Sequence, residues 1–532
     1  MPWKPWPMHN VAPLRTMLIN DGGALLLPGT EEYESERHKV WNKDSIGRPR
    51  AIAQPATVDG VVACILYAKE HEGVALVIAG GRHGCFTMMD NAFVLCMSRM
   101  RGVTVDPDAR EVTVEGGCKI GDMDEACAPY GLACVTGTNP DTGVVGLSVA
   151  GGVGYLSKLH GLAIDNFVSA EMVLPDGRVI SVTDETEPEL FWAIRGAGTN
   201  FGVITKLTMK AHEVSTAYGV GMMINVVPFQ STARKVLTAW RDWISTQPNH
   251  IVSYAALPCG APVLPLVCHR HQQQHQQQRP NLANAASGRF FAFTNLVFPF
   301  LCGFGALFAL KMFKKMEYQD LQKQLEKHQA SGHYFMGSAM LKELPDEAID
   351  TFIKFQREKN VNSCAAVLIF PMGGKIGAPP LLSTAYRPRN AKYFVVIEGQ
   401  FKPGSDKRRR EVMQWAHALK AALNPFTDGD ACHDLQVNIG EVDDATERNG
   451  MLAHVERFIS DVPRAVAVKK HYDSKNMFSM NRNILPEDRE DATATQGSLT
   501  ANISEEQRVL KGTSTVTGHI TCDSFTIDPT IR

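Results

Sequence analysis

The sequence predicts an α+β fold with more than one domain, from its length and from two successive sets of strand and helix patterns. A chain of 532 residues is too long for a single hydrophobic core. In residues 51–210, apolar β-branched runs such as VALVIAGG, REVTVEGG and GVITKLTMK alternate with helical stretches such as DGVVACILYAKEH, which is typical of α+β domains. LPDGRVISV predicts a tight hairpin, because Asp-Gly supplies the positive φ that such turns require.

A second set of elements follows between residues 217 and 440. STARKVLTAWRDWIS and KRRREVMQWAHALKAAL read as helices, and AAVLIFPMGG and KYFVVIEGQF read as strands, so a second α+β unit is expected. The Ser/Thr-rich end of the chain is predicted to be a flexible polar tail. The predicted division is an N-terminal segment (1–46), a first domain (47–215), a second domain (216–460), a closing segment (461–486) and the tail (487–532).

Composition and charge indicate an ordinary globular protein that acts on a small molecule. Hydrophobic residues make up 44% and charged residues 21%, and 54 basic residues face 56 acidic ones, so no broad basic surface for nucleic acid or an anionic membrane is expected. Prolines interrupt the N-terminal MPWKPWPMHN where a secretory signal needs an apolar helix, so a cytoplasmic location is expected. The 12 cysteines form no CxxC pair, which favours reduced thiols over disulfides or a metal site.

Residues 262–313 are predicted to be an irregular insertion in the second domain. CHRHQQQHQQQRP is a low-complexity polar run that reads as a solvated loop, with metal binding by its histidines as the alternative. The apolar stretch FFAFTNLVFPFLCGFGALFALKMFKK contains Asn295, Pro299 and two glycines. It is interpreted as a buried helix or irregular segment, with a membrane span as the alternative.

The stretch VIAGGRHG, residues 77–84, places two glycines directly after an apolar strand. Gly80 and Gly81 free the backbone to turn sharply, and successive N–H groups in such a turn can surround an anionic oxygen. The stretch lacks the GxGxxG spacing of a nicotinamide-binding turn, so that fold is not inferred.

Two further glycine-rich stretches lie in the same domain. TGTNPDTGVVGLSVAGGVG has glycines at 137, 143, 146, 151, 152 and 154, and RGAGTNFGVIT leads into a strand. Glycines in such number allow the backbone to approach a flat or charged group closely, at an entropic cost that a bound ligand would offset. Three glycine-rich approaches predict a long ligand with a pyrophosphate in its middle.

These stretches together resemble the flavin-binding oxidoreductases of the vanillyl-alcohol oxidase superfamily, and in particular its berberine-bridge-enzyme-like branch. The resemblance rests on GGRHG, TGT…GVVGLSVAGGVGYLSKLHGLAIDN, ELFWAIRGAGTNFGVIT and KKHYDSKNMFSMNRNI, which occur in the family's order over residues 40–485. It implies a PCMH-type FAD-binding domain of two α+β subdomains, a substrate domain with an antiparallel sheet, and a closing segment that returns to the FAD domain.

The resemblance also implies roles for individual residues. The glycine loop would hold the pyrophosphate, and His83 would be the histidine that the family often bonds covalently to the flavin. Arg82 occupies the place of a glycine, where its guanidinium suits a pyrophosphate, and Asn139 replaces the cysteine of doubly linked members, so no second link is expected. The implied cofactor-binding residues are Gly80, Gly81, Arg82, His83, Gly84, Thr138, Asn139, Gly143, Gly151, Gly152, Asp165, Asn166, Gly202, Val203, Ile204, Asn476 and Phe478.

Hydride transfer to a flavin also needs a base on the substrate side. Glu398 and Gln400 are two residues apart on the predicted strand KYFVVIEGQF and so lie on one face; an exposed glutamate is the alternative reading. The family's YxNY stretch has its nearest match in QVNI, which keeps Asn438 but has no tyrosine. Either Tyr334 or Tyr155 replaces it, or the chemistry differs.

The sequence therefore predicts an FAD-dependent oxidoreductase that oxidises a small organic substrate, such as an alcohol, a phenol, a sugar or an intermediate of secondary metabolism. Dioxygen or another acceptor would reoxidise the flavin. Two alternatives stay open: a flavin-binding protein that has lost catalysis, and an interaction protein tethered to a membrane by residues 290–313. The sequence leaves the substrate, the acceptor and the oligomeric state open.

Overall fold

Three β-sheets with packed helices organise the described part of the chain. The computed structural model describes residues 11–71, 75–214, 217–223, 230–258, 264–270, 309–310, 314–326, 331–358, 361, 365–434 and 458–486. The α-helices within these ranges are α1 (Val11–Asn20), α2 (Glu31–Arg37), α3 (Val58–Glu70), α4 (Ile120–Cys127), α5 (Val144–Ser148), α6 (Ser157–His160), α7 (Pro188–Ile194), α8 (Gln230–Ser245), α9 (Tyr318–Glu326), α10 (Asp346–Gln356), α11 (Asp406–Leu423) and α12 (Val462–Tyr472).

The first sheet has four strands, β1 (Ala24–Leu26), β2 (Ala51–Gln54), β3 (Leu76–Ala79) and β4 (Phe93–Cys96), in the order β1-β2-β4-β3. Strand β4 pairs in parallel with β2 and β3, and β1 pairs antiparallel with β2. The predicted helix DGVVACILYAKEH is confirmed as α3, which begins after the N-cap Thr57. Its Val61 and Ile65 pack with Phe93 in one core cluster.

The second sheet is antiparallel, with six strands: β5 (Val103–Asp106), β6 (Glu111–Glu115), β7 (Leu132–Cys134), β8 (Phe167–Val173), β9 (Val179–Val182) and β10 (Val203–Glu213). Strands β8 and β9 form the hairpin predicted from LPDGRVISV. Gly177 has a φ of +87°, as the Asp-Gly signal requires.

The third sheet is also antiparallel and has nine strands: β11 (Ala217–Met223), β12 (Ile251–Pro258), β13 (Leu264–Arg270), β14 (Ala309–Leu310), β15 (Lys314–Met316), β16 (His333–Leu341), β17 (Ala365–Pro371), β18 (Tyr393–Phe401) and β19 (Thr427–Asp434). Because side chains alternate along a strand, the odd-numbered residues of β16–β18, such as Ala339, Val367 and Val395, pack on α8, α10 and α11. The even-numbered residues face the other way.

The α+β class, the two predicted helices of the second unit (α8 and α11) and its two predicted strands (β17 and β18) are thus confirmed. The insertion is less irregular than expected, since its two ends lie in β13 and β14. Residues 271–308, which hold most of the histidine-rich run and of the apolar stretch, and the tail 487–532 lie outside the described residues. The predicted domain boundaries stay a prediction.

Three further expectations from the sequence concern a membrane span, a metal site and the state of the cysteines. In the described ranges, no helix is long and apolar enough to cross a membrane. Within the same ranges, no group of histidine, cysteine, aspartate and glutamate side chains has the arrangement of a metal site. The cysteines that the structure describes as free are all buried: Cys64, Cys85, Cys96, Cys118, Cys127 and Cys134.

A fully buried ion pair fixes the closing segment after α12. Lys469 Nζ lies 2.7 Å from Asp473 Oδ2 and donates to the carbonyl oxygens of Asn200 and Phe478. The Asp473 carboxylate also accepts from the N–H groups of Met477 and Phe478. All these groups satisfy one another, which a buried charge requires.

We predict that Asp473→Asn lowers the free energy of unfolding by about 3–5 kcal/mol, because it leaves the Lys469 charge buried without its partner. Urea denaturation measures the loss. The matched control is Glu189→Gln, which breaks the pair between Arg464 of α12 and the half-exposed Glu189 and should cost less than about 1 kcal/mol. Equal losses in the two variants would contradict the prediction.

Candidate functional site

The loop between β3 and β4 of the first sheet begins with two residues that have no side chain. Strand β3 ends at Ala79 and runs into Gly80 and Gly81. A Cβ atom on Gly81 would lie 2.1 Å from the backbone nitrogen of Gly143, and one on Gly143 would lie 2.5 Å from that of Gly81. Both positions therefore require glycine, because the two backbones touch.

Arg82 follows with a φ of +61°, so the turn takes the left-handed conformation although a glycine is absent. Its guanidinium forms a buried ion pair with Glu36 of α2 and approaches Cys96 Sγ at 3.9 Å. Arg82 and Lys39 lower the pKa of Glu36 despite its burial. Arg82 thus lies at the site, and its guanidinium pairs with Glu36. Its contact with a pyrophosphate stays a prediction.

His83 lies between a carboxylate and an aromatic ring. Its Nε2 is 3.5 Å from Asp141 Oδ2, and its ring stacks on Trp41 with centroids 5.2 Å apart. Burial raises the pKa of Asp141, but hydrogen bonds from His83 and Lys119 outweigh it and lower that pKa to about 2. Asp141 is therefore ionised at neutral pH, next to the imidazole.

Trp41 joins the glycine loop to the third sheet. Its ring also stacks on Tyr334 of β16, with centroids 4.6 Å apart. The backbone N–H of Trp41 donates to the Arg82 carbonyl oxygen, and the backbone carbonyl oxygen of Trp41 accepts from the N–H of Gly332. Asn42 exchanges two hydrogen bonds with the backbone of Tyr334. The N-terminal segment thereby sets the position of His83 relative to β16.

The second glycine stretch forms the wall beside this loop. Thr138, Asn139 and Gly143 line it, and Asn139 Oδ1 accepts from the Asp141 N–H at 3.0 Å. Gly152, at φ +75°, packs against the side chain of Ala163. Gly146 differs, because a Cβ there would meet no protein atom within 4 Å. Most of these glycines therefore serve contacts within the protein, which corrects the expectation that a ligand explains all of them.

The closing segment supplies polar groups to the same space. Phe478, Asn481 and Arg482 line it. Asn481 Oδ1 is buried without a hydrogen-bond partner among the described residues. Burial lowers the pKa of Arg482, and no ion pair of its guanidinium occurs in the described part of the chain.

Loop, wall and closing segment enclose one cavity of about 550 Å³ with the third sheet on its far side, a size typical of cofactor and ligand sites. The acceptor Asn481 Oδ1, which has no hydrogen-bond donor among the described residues, and the Arg482 guanidinium, which has no ion-pair partner among them, fit a ligand with polar and anionic parts, as FAD has, and so does the open space at Gly146. The predicted residues that line it are Gly80, Gly81, Arg82, His83, Gly84, Thr138, Asn139, Gly143, Gly152, Ile204 and Phe478.

The remaining predicted cofactor residues do not line this cavity, and most of them contact other parts of the protein. The Asp165 carboxylate accepts hydrogen bonds from the two terminal nitrogens of the buried Arg389 guanidinium, at 2.6 and 3.0 Å. Asn166 forms a hydrogen bond with His212 and donates to the carbonyl oxygens of residues 160 and 162. The others occupy backbone or core positions: Gly151 under the Tyr386 ring, Gly202 against the Val173 carbonyl, Val203 in the core, and Asn476 in a turn at φ +52°.

The predicted catalytic residues lie at the edge of the site. Glu398 and Gln400 share the face of β18 that carries the cavity-lining Phe394 and Val396, but neither lines the cavity. Gln400 Nε2 donates to the Tyr334 hydroxyl at 3.2 Å. Asn438 lies outside the described residues.

Tyr334 and Tyr155, the two predicted substitutes for the missing tyrosine, differ in position. Burial and the charge of Glu398 raise the pKa of Tyr334, so its hydroxyl keeps its proton at neutral pH. Tyr155 packs against Tyr254 with ring centroids 5.5 Å apart, whereas Tyr334 is hydrogen-bonded to Gln400; neither tyrosine lines the cavity. Tyr334 is therefore the tyrosine beside Glu398.

Comparisons with known proteins agree with this geometry. Residues 49–183 match the family model described as FAD binding domain. An FAD-linked oxidoreductase of Dictyostelium discoideum is 28% identical over 88% of this chain and 97% of that protein. The (R)-6-hydroxynicotine oxidase of Paenarthrobacter nicotinovorans is 32% identical over 43% of this chain and 50% of that enzyme. Glucooligosaccharide oxidase from Acremonium strictum has the same fold, with a TM-score of 0.74 at 18% identity over 89% of this chain and 99% of that one.

Fold, cavity and family match define an FAD-linked oxidoreductase, with residues 49–183 as an FAD-binding domain. The fold is that of the solved structure of Physcomitrella patens BBE-like 1, with a TM-score of 0.72 at 19% identity over 87% of this chain and 97% of that one.

Several cavity residues have no counterpart in the sequence-based prediction. Trp41, Tyr386 and Arg482 come from three segments that are far apart in the chain, and single-sequence patterns do not reveal such contacts. Phe394 and Val396 could have been predicted, because they are four and two residues before Glu398 on a predicted strand and so lie on the same face.

We predict that alanine at two neighbouring glycines lowers flavin content in both cases but changes stability differently. Gly143→Ala should lower both stability and flavin content, because its Cβ collides with the backbone of Gly81. Gly146→Ala should lower flavin content alone, since its Cβ enters only the cavity, and alanine in α5 should leave the flavin-free protein as stable or about 0.4–1 kcal/mol more stable. The ratio of visible to ultraviolet absorbance and urea unfolding measure the two quantities. Normal flavin content in Gly146→Ala would contradict the proposed fit.

Proposed function

We propose that the protein oxidises a small organic substrate by removing a hydride from one carbon and a proton from the same molecule, with FAD held in the cavity. Bound FAD supplies the redox chemistry, because its N5 accepts the hydride and dioxygen or another acceptor then takes the electrons. The observation that carries this proposal is a single cavity with a polar, glycine-rich wall on one side and the third sheet on the other.

The chain's own residues divide the work of binding. The backbone of Gly80, Gly81 and Gly84 offers N–H groups to phosphate oxygens. Arg482 supplies a positive charge, and the Asn481 side chain supplies an acceptor that the described protein groups leave unused. These features support FAD as the cofactor.

We further propose one covalent link to the flavin, through His83. His83 lines the cavity, and the charge of ionised Asp141 would hold its ring in place and stabilise the positive charge that the imidazole gains when a flavin carbon bonds to it. The FAD of the glucooligosaccharide oxidase from Acremonium strictum carries both a histidyl and a cysteinyl link. Here Asn139 stands where the resemblance places the cysteine, so a cysteinyl link is not expected.

Acid precipitation tests the link. We predict that the purified protein is yellow and that the colour stays with the precipitate, whereas His83→Ala releases all its flavin to the supernatant. His71→Ala is the control, because His71 stacks on Tyr67 in the first sheet's core and should retain the wild-type link. Colour in the supernatant of the wild-type protein would refute covalent attachment and leave FAD binding intact.

For proton removal we propose Glu398 as the base, with Tyr334 and Gln400 as its neighbours. The raised pKa of Tyr334 indicates a hydroxyl that donates rather than accepts a proton at neutral pH. Gln400 orients that hydroxyl from the opposite strand. The carboxylate of Glu398 is then the basic group at this edge of the cavity.

We predict that Glu398→Gln slows anaerobic flavin reduction by about a hundredfold or more. The wild-type rate should fall in acid as the carboxylate is protonated, and this acid limb should be missing in the variant. Stopped-flow absorbance at several pH values measures both. Glu343→Gln, an exposed glutamate paired with Lys392, is the control. An unchanged pH profile in Glu398→Gln would exclude Glu398 as the base.

A further inference from the structure

The wall of the cavity formed by the third sheet is apolar. Its cavity-facing residues on three adjacent strands are Met336 and Met340 on β16, Leu368 and Phe370 on β17, and Phe394 and Val396 on β18. The strand register sets Phe394 beside both Met340 and Phe370, and Val396 beside Leu368. These six side chains, named here the roof, therefore form one continuous surface.

Polar groups on this wall are few in the described ranges. Among the described residues of the third sheet that line the cavity, Ser338 carries a hydroxyl. It lies between the two roof methionines and is almost fully buried. Further polar lining residues come from the opposite wall, among them Thr138, Asn139, Thr142, Thr199, Asn481 and Arg482. The two walls thus differ sharply in chemistry.

The roof also contains an aromatic corner. The rings of Phe370 and Phe394 lie 5.8 Å apart at 35°, and Phe370 packs on Tyr254 at 4.4 Å. Tilted rings at such distances leave edges and faces for a further ring. The Met336 and Met340 thioethers also make favourable contacts with aromatic rings.

A sugar fits such a wall poorly. Each sugar hydroxyl that loses water against methionine, leucine or phenylalanine without gaining a partner weakens binding by about tenfold. An apolar ring instead gains affinity from the same contacts. The wall that would face the substrate therefore discriminates against carbohydrates.

We propose that the substrate is a compact, apolar and aromatic molecule that presents its oxidisable hydroxyl or C–H bond from beneath the roof, and not an oligosaccharide. This inference rests on the proposed function, since it takes the glycine-rich wall as the flavin side and the roof as the substrate side. The likeness to a glucooligosaccharide oxidase, at 18% identity, is one of fold alone.

Binding to the oxidised, flavin-loaded protein tests the substrate class without turnover. Isothermal titration calorimetry with 2-naphthol and with cellobiose should give a dissociation constant for 2-naphthol at least tenfold lower. Tighter binding of cellobiose, or no binding of 2-naphthol, would overturn the inference.

Two roof variants locate the binding surface. Leu368→Asn should weaken 2-naphthol binding by tenfold or more, whereas Leu382→Asn, at an exposed leucine, should leave it unchanged. Val396→Thr keeps the shape of the side chain and should weaken 2-naphthol binding several-fold while flavin content stays normal, which separates a local effect from misfolding. Wild-type affinity for 2-naphthol in both roof variants would overturn the inference.

The outcomes also separate the two proposals. Tight 2-naphthol binding by a protein whose flavin no phenol, alcohol or sugar reduces would refute the proposed reaction and support the apolar roof. Flavin reduction by cellobiose but by no aromatic alcohol would refute the roof inference and support the proposed reaction.

Discussion

The backbone contact between Gly81 and Gly143 is the constraint on which the site depends. It brings the loop after β3 of the first sheet against the loop that enters α5 beside the second sheet, at distances that exclude any Cβ atom. His83 follows the first loop directly, and Asn139 and Asp141 precede Gly143. The contact therefore sets the His83–Asp141 pair, and with it the polar wall of the cavity.

The third sheet contributes through alternation alone. The same three strands, β16, β17 and β18, bury odd-numbered residues under helices and present even-numbered ones to the cavity. A shift of one residue in the register would exchange the two faces. The large core under the helices therefore also determines which side chains line the cavity. A substitution in that core that shifts a strand also shifts the roof residues on the same strand.

Local patterns in the sequence predicted the strands, the helices and the glycine loops, because turns and periodicity depend on residues close in the chain. They did not predict that Arg82 adopts a positive φ and pairs with Glu36, since that ion pair joins residues 46 positions apart. Asp165 and Asn166 were assigned to the cofactor from the resemblance, yet they hold Arg389 and His212. A motif thus marks a constrained position without saying whether the constraint is a ligand or the fold.

Arg482 shows how charge can separate these two cases. A buried cation that belongs to the fold has a carboxylate or several carbonyl oxygens as partners, as Lys469 has in the closing segment. Arg482 lies 13 residues further on in the same segment and lines the cavity. Its guanidinium lies 5.6 Å from the Phe458 ring, and among the described residues it has no carboxylate as an ion-pair partner. Its lowered pKa records the cost of removing water from the guanidinium. An anionic group in the cavity removes that cost, which makes this residue a stronger indication of a bound phosphate or flavin than any of the glycines.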